Sequence, residues 1–527
     1  MSMVRVSPND NSRNLDCLLI HTPKFSHYVH PFNKVQFINL MPMGLLFMAD
    51  FLQRHGFKSR VLHLGIERLF TKDFSLREYL LSTKPKVVGV ALHWHHQSFD
   101  AIEIAKEVKR VLPDTFLVLG GLTASFFKDE ILENFGFIDA IIAGDGEVPL
   151  LAVVDQIVKN CGDMASVPNL TRRNSGSVVQ NAQNYVTTKE ILDSASYSNY
   201  SLMENYKFYP QLFFFNFNTS PVINDIIYKS SLVASMYLPI GKGCTANCSF
   251  CGGGYDANGI INGRARIVLR SPERIVDNIR EGLQWGFKSF NTDFDLPEQN
   301  SRKFFLELFK TIRDHKLKIT YNFNAYALPS VDFIDEFSAT FTADSQIIIS
   351  PESGSERLRK INKGYFYTNA DFLQTLSYME KKGVNTGIYF SGGLPMETGK
   401  DIQETVTLQK QLKKYNNIKQ VITVPLELDP ASPMFYYPEK FNIVLTRKTF
   451  LDYYKDHARS WFSRGYCLAG SSEKEMMKVQ CKNYCFINPN FGKYLCSVSH
   501  VATKFRPSYS LRYIDTLASF VLKRLFK

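Results

Sequence analysis

No stretch of this chain approaches the roughly 20 uninterrupted apolar residues that a membrane-spanning helix needs. Its opening residues, MSMVRVSPNDNSRN, lack the apolar run of a secretory leader, so an intracellular, cytoplasmic setting is expected. Cysteine is scarce, with nine in 527 residues, far too few for a disulfide-dense fold. Acidic residues are in deficit: 62 Lys and Arg face 50 Asp and Glu, a formal net charge of +12. That balance favours anionic partners without choosing among small molecules, nucleic acid and an acidic membrane surface. The basic residues are scattered through helical segments as on ordinary solvated faces, so no clear nucleic-acid partner is expected.

The length predicts two or three domains, and 45% hydrophobic with 21% charged residues describes a soluble globular chain. The 42 Phe and 26 Tyr suit large apolar cores or a pocket for a flat cofactor, the core being the expected use. At the end of the sequence, LRYIDTLASFVLKRLFK spaces apolar residues as a helix does, among Lys523, Arg524 and Lys527. Such a helix packs on its own domain or makes peripheral membrane contact.

The first 160 residues alternate short β-rich runs with helical patterns: LDCLLIHT, MGLLFMADFLQRHGF, SRVLHLG, KVVGVAL, FDAIEIAKEVKRVLP, FLVLGG and AIIAGDGE. Strict alternation predicts an α/β, Rossmann-like domain with a parallel sheet, whose ligands sit beyond the carboxyl ends of the strands. Residues 161–235 read as a connecting segment. A second α/β series over 236–430 supplies six strand–helix units and predicts a partial or complete β/α barrel with its chemistry at the strands' C-terminal ends. Residues 431–527 read as a mixed C-terminal region.

Cysteines cluster once before that region. Cys244, Cys248 and Cys251 stand in GKGCTANCSFCGGG with C-x3-C-x2-C spacing. Three thiolates hold three irons of a 4Fe–4S cluster and leave the fourth open to a small chelating molecule. A closed zinc site wants four ligands, and no His or Cys follows closely.

This run resembles the signature of radical S-adenosylmethionine (SAM) enzymes, with Phe250 before the last cysteine as in that family. The resemblance continues in NTDFDLP, ISPESGSERLRKINKG and FSGGLPMET. It implies that Phe250 seats the adenine, that Asp293, with Asp295 nearby, meets the SAM amino group, and that Glu352 and Ser353 face ribose and methionine. Arg357 is expected to order its loop, and Gly392 and Gly393 to pass beside the adenine. The implied chemistry is reductive cleavage of SAM to a 5′-deoxyadenosyl radical, fed by an external donor of the flavodoxin or ferredoxin type.

The N-terminal domain resembles the cobalamin-binding domain that precedes many radical SAM barrels, through PMGLLFMADFLQRHGF, VVGVAL, LVLGGLTAS and DAIIAGDGEVPLL. Gly120, Gly121, Thr123 and Gly144 would lie against cobalamin, and Trp94 and His95 of LHWHHQSFD would shape the corrin's lower face. A metal site using His93, His95 and His96, or a plain structural loop, are the other readings of that stretch. The Asp-x-His-x-x-Gly motif that supplies an axial histidine in some cobalamin proteins is absent.

Cys467, Cys481, Cys485 and Cys496 form a possible second cluster or zinc site, with buried thiols as the simpler account. Cys17 and Cys161 receive no role. The resemblance implies a cobalamin-dependent methyltransferase acting on an unactivated carbon or a phosphorus, with cyclisation, rearrangement or oxidation as the alternative and RNA modification as a more distant one. The substrate is expected to be a small molecule, lipid or peptide, with Tyr436, Tyr437 and Arg447 as candidate lining residues.

Overall fold

The computed structural model describes residues 14–28, 34–37, 42–70, 74–206, 235–292, 298–455, 464–472 and 475–476. The first sheet is built on Cys17–His21 (β1), whose five residues CLLIH are all buried, as expected for a strand covered on both faces. Ser59–His63 (β2), Val87–Ala91 (β3), Phe116–Gly120 (β4) and Ala140–Ile142 (β5) complete its parallel part. Leu170–Asn174 (β6) and Ser177–Gln180 (β7) add an antiparallel edge, giving the order β2-β1-β3-β4-β5-β6-β7. The sheet therefore runs on past residue 160, into the stretch expected to be connecting chain. The parallel order places a topological switch between β1 and β3, where such sheets bind ligands. LHWHHQSFD follows β3 at that switch, and Gln97 Nε2 donates to Thr22 O after β1 at 2.5 Å.

Six parallel strands form the second sheet: Ser235–Tyr237 (β8), Ser289–Thr292 (β9), Thr320–Ala325 (β10), Gln346–Glu352 (β11), Asn385–Gly392 (β12) and Ile418–Pro425 (β13), in that order. This is a partial barrel. In β10, the sequence TYNFNA alternates: Tyr321, Phe323 and Ala325 are buried, while Thr320, Asn322 and Asn324 are half-buried. The amides face other polar groups, Asn322 Nδ2 donating to Asn291 Oδ1 at 2.5 Å and Asn324 Nδ2 to Thr292 O at 3.0 Å. The opposite face carries the phenylalanines, with Phe305 and Phe323 rings 5.1 Å apart and Phe309 and Phe333 rings 5.2 Å apart. Here the aromatic richness serves a core rather than a cofactor.

One apolar core joins the two sheets. It runs from Leu19, Phe47 and Val61 through Tyr197, Tyr200 and Leu202 to Met236, Ile275 and Phe290. A polar seam follows the same path: Ser196 Oγ donates to Glu281 at 2.6 Å, and Asn199 Nδ2 donates to Asp50 at 2.7 Å. No helix among the described residues is long and apolar enough to cross a membrane. The C-terminal LRYIDTLASFVLKRLFK lies outside the described residues.

Candidate active site

After β8, Gly241–Lys242 pairs antiparallel with Val268–Leu269 and delivers the chain to Cys244. The loop closes at Cys251 and enters the helix Tyr255–Asn262. Gly252 is required by contact: a Cβ there would stand 2.2 Å from Pro430 O. Each cysteine sulfur accepts one backbone N–H, from Ala246 to Cys244 at 3.4 Å, from Gly253 to Cys251 at 3.4 Å, and from Gly364 to Cys248 at 3.2 Å. Burial nonetheless pushes all three thiols up, so a nearby positive centre is needed to hold them as thiolates. Three sulfurs with N–H donors fit a 4Fe–4S cluster.

The SAM residues gather around that loop. Phe250 is half-buried against a cluster containing Leu358, Leu394 and Leu428. Glu352 ends β11 with φ of 62°, a left-handed conformation that non-glycine residues hold only under constraint. The constraint is visible: Lys363 Nζ lies 3.2 Å from Glu352 Oε1, and the Ser391 hydroxyl donates to Oε2 at 2.5 Å. Ser353 is buried with its hydroxyl 3.0 Å from Thr405 Oγ1 and accepting from Ser355 N, contacts that brace the strand end. Arg357 orders its loop as expected, donating to Asp401 at 2.6 Å and to Met396 O at 2.9 Å. Gly392 and Gly393 lie at the end of β12, where Gly393 N–H donates to Glu397 at 3.1 Å and Tyr466 Oη donates to Gly393 O at 2.5 Å. Asp293 and Asp295 lie outside the described residues.

In the first domain, Gly120 has open space, with only Ile142 O at 3.9 Å from a notional Cβ. Gly121 and Gly144 are packed against the chain itself, facing Leu92 O and Ile261 O. Thr123 Oγ1 donates to His93 O at 2.9 Å. All three are held by contacts within the chain. Trp94 is half-buried and edge-on to His93, ring centres 4.7 Å apart.

His95 turns toward the barrel. Its Nε2 lies 3.2 Å from Glu427 Oε1 and its Nδ1 3.5 Å from Asp429 Oδ1, while His96 Nε2 lies 3.4 Å from Glu427 Oε2. His95, His96 and Glu427 bring ligand atoms to within 4.8 Å of one another, but Arg447 already donates to Glu427 at 2.9 Å. Burial works against the charge on Glu427; His96, His95 and Arg447 outweigh it and hold the carboxyl well below its usual range. The grouping is a salt-bridged seam between the domains, and Arg447 belongs to it.

Asp429 keeps 44% of its side chain accessible and His93 is exposed. Yet protein crowds both closely enough that burial raises the Asp429 carboxyl and lowers His93 to about 4, the Lys242 ammonium adding to the latter. Asp429 also accepts Gly252 N–H at 3.3 Å, next to Cys251, and so links the cobalamin-domain loop, through His95, to the cluster loop. Lys242 lies 3.1 Å from Asp145 Oδ1, while also pairing with Glu147; Arg264 pairs with Asp145 from the other side. Although burial opposes it, Lys242 and Arg264 hold Asp145 down to about 2.

Glu427, Asp429, Lys242 and Lys363 were not singled out from sequence; the available signal was their adjacency to motifs, in PLELDP, GKGC and RKINKG. Tyr436 and Tyr437 are exposed and, with Tyr255, Ile260 and Arg264, line an open recess of about 430 Å³ on the outer side of the helix Tyr255–Asn262. Cys467 is buried in Tyr466–Leu468, paired with Ile443–Leu445. Cys481, Cys485 and Cys496 lie outside the described residues.

Comparison with known proteins identifies both domains. A profile of the radical SAM superfamily matches residues 238–408, and one of the B12 binding domain matches residues 38–154. An uncharacterised protein of Methanocaldococcus jannaschii is 24% identical over 395 residues, 72% of each chain. Hopanoid C-3 methylase of Methylococcus capsulatus is 33% identical over 147 residues, a match spanning 27% of each chain. The solved structure of the radical SAM methyltransferase TsrM from Kitasatospora setae, with cobalamin and a 4Fe–4S cluster bound, superposes with a TM-score of 0.63 at 17% identity, covering 90% of this chain and 89% of that one. The cofactors are accordingly a 4Fe–4S cluster, SAM and cobalamin. The chain belongs to the radical SAM enzymes that carry a cobalamin-binding domain ahead of the barrel.

Proposed function

We propose that the enzyme is a cobalamin-dependent methyltransferase acting on an unactivated carbon, or a phosphorus, of a small-molecule substrate. The observation that carries this reading is the link between the cobalamin-domain loop and the cluster loop, His95 lying 3.5 Å from Asp429, which accepts Gly252 N–H beside Cys251. When bound, the cofactors supply reductive cleavage of SAM and a transferable methyl group. The chain's own residues do the rest. Cys244, Cys248 and Cys251 hold the cluster; Glu352, set by Lys363 and Ser391, is the polar group for SAM. His95, Glu427 and Asp429 hold the two domains at a fixed separation, so that substrate is positioned between them and bulk water is kept out. The names of the hopanoid methylase and of TsrM support methyl transfer as the outcome.

The test is incubation of the reconstituted enzyme with SAM bearing a deuterated methyl group and with candidate metabolite extracts. A product carrying the label supports the reading. Formation of 5′-deoxyadenosine with an unlabelled, altered product would replace it with non-methylating radical chemistry.

A further inference from the structure

The segment Asn362–Gly364 follows the helix Glu356–Asn362 and grips the cluster loop. Ser249 N donates to Asn362 O at 2.9 Å and Ser249 Oγ to Asn362 Oδ1 at 2.7 Å. Gly364 N–H donates to Cys248 Sγ at 3.2 Å. A Cβ on Gly364 would stand 2.7 Å from both Ala246 Cβ and Asn247 N, so only glycine lets this segment approach so closely. Lys363 sits between these two anchors. Its side chain is 2% accessible, and its ammonium lies 3.2 Å from Glu352, itself 11% accessible.

We propose that Lys363 and Glu352 form a buried charge pair that sets the reduction potential of the 4Fe–4S cluster, with Lys363 favouring the reduced state and Glu352 opposing it. The proposal rests on the cluster assignment to Cys244, Cys248 and Cys251. The step concerned is a one-electron reduction: an electron passes from an external flavodoxin- or ferredoxin-type donor to the cluster, no bond forms or breaks, and the cluster gains one negative charge. A buried cation nearby favours that gain and a buried anion disfavours it, more strongly than in water because the local dielectric is low. Asn362 and Gly364 pin the Lys363 backbone on both sides, against the loop that carries Cys248. Lys363 is thus a positioning and charge-setting residue, not a catalytic one.

A purely structural ion pair and a potential-setting one differ in sign. Losing either partner of a structural pair disturbs the loop in the same way, whereas losing opposite charges moves the potential in opposite directions. The experiment is an EPR-monitored redox titration of the reconstituted holoenzyme without SAM, for wild type, Lys363→Met, Lys363→Arg and Glu352→Gln. The expected result is a shift to more negative potential in K363M, a shift to more positive potential in E352Q, and a value near wild type in K363R. Unmoved potentials in K363M and E352Q, or shifts of the same sign, would overturn the proposal. If K363M takes up no cluster, E352Q decides: a positive shift upholds the proposal and any other result ends it. A wild-type protein that yields no 4Fe–4S signal would instead retire the cluster assignment.

Discussion

His95, in the loop after β3, lies 3.5 Å from Asp429 beyond the end of β13, and the same carboxylate accepts Gly252 N–H at 3.3 Å. One side chain thereby links the cobalamin-domain loop to the loop that holds the cluster. With Glu427 on its other nitrogen at 3.2 Å, His95 is committed on both sides of its ring. It is a strut between domains.

His95→Ala should therefore loosen the cobalamin side without touching the cluster. The expected outcome is at least a several-fold loss in cobalamin retained after desalting, read from the visible spectrum, with iron content unchanged. Equal loss of iron and cobalamin would mean general unfolding.

Cys248→Ala removes a sulfur that Gly364 N–H supports at 3.2 Å. Two remaining ligands do not hold a cube by three corners. Iron content should fall toward background and SAM cleavage below detection, while cobalamin binding persists.

Asp145 joins the two domains through Lys242 and Arg264 and is 5% exposed. Asp145→Asn leaves the buried Arg264 and the half-buried Lys242 short of a counter-charge, a lesion worth about 3 kcal/mol. The melting temperature at neutral pH should drop by several degrees. An unchanged value would show that Glu147 alone satisfies both cations.

Glu397 accepts Gly393 N–H at 3.1 Å, and burial raises its carboxyl to about 7. The folded state then binds this proton more tightly than the unfolded state. Stability from this group is full below the ordinary carboxyl value near 4.5 and declines as pH rises toward 7, by about 3 kcal/mol in all. Glu397→Gln keeps an acceptor for Gly393 and removes the titration. It should melt higher than wild type at pH 8, with the gap closing toward pH 4.5.

The parts legible in the sequence were those that chemistry confines to short stretches. Thiolate ligands at fixed spacing announce a cluster, and glycines at strand ends announce a parallel sheet with a ligand edge. β6 and β7 escaped because they carry little apolar signal: LTRRN and SVVQ are half polar. Their turn was readable, since Ser175 and Gly176 take positive φ of 48° and 88°, as two-residue hairpin turns require. The seam was not readable at all. His95 and Glu427 are 332 positions apart, and nothing local in LHWHHQ or PLELDP says that they meet. Nor does ISPESGSERL announce that the Ser353 hydroxyl meets Thr405, 52 positions away.

Cobalamin and the cluster are expected to act together in moving a methyl group. The most direct measurement supplies the reconstituted, reduced holoenzyme with SAM carrying a ¹³C methyl group and follows the label in protein-bound cobalamin by NMR. The account predicts labelled methylcobalamin on the protein. Cobalamin that stays bound and unlabelled while SAM is consumed would contradict it.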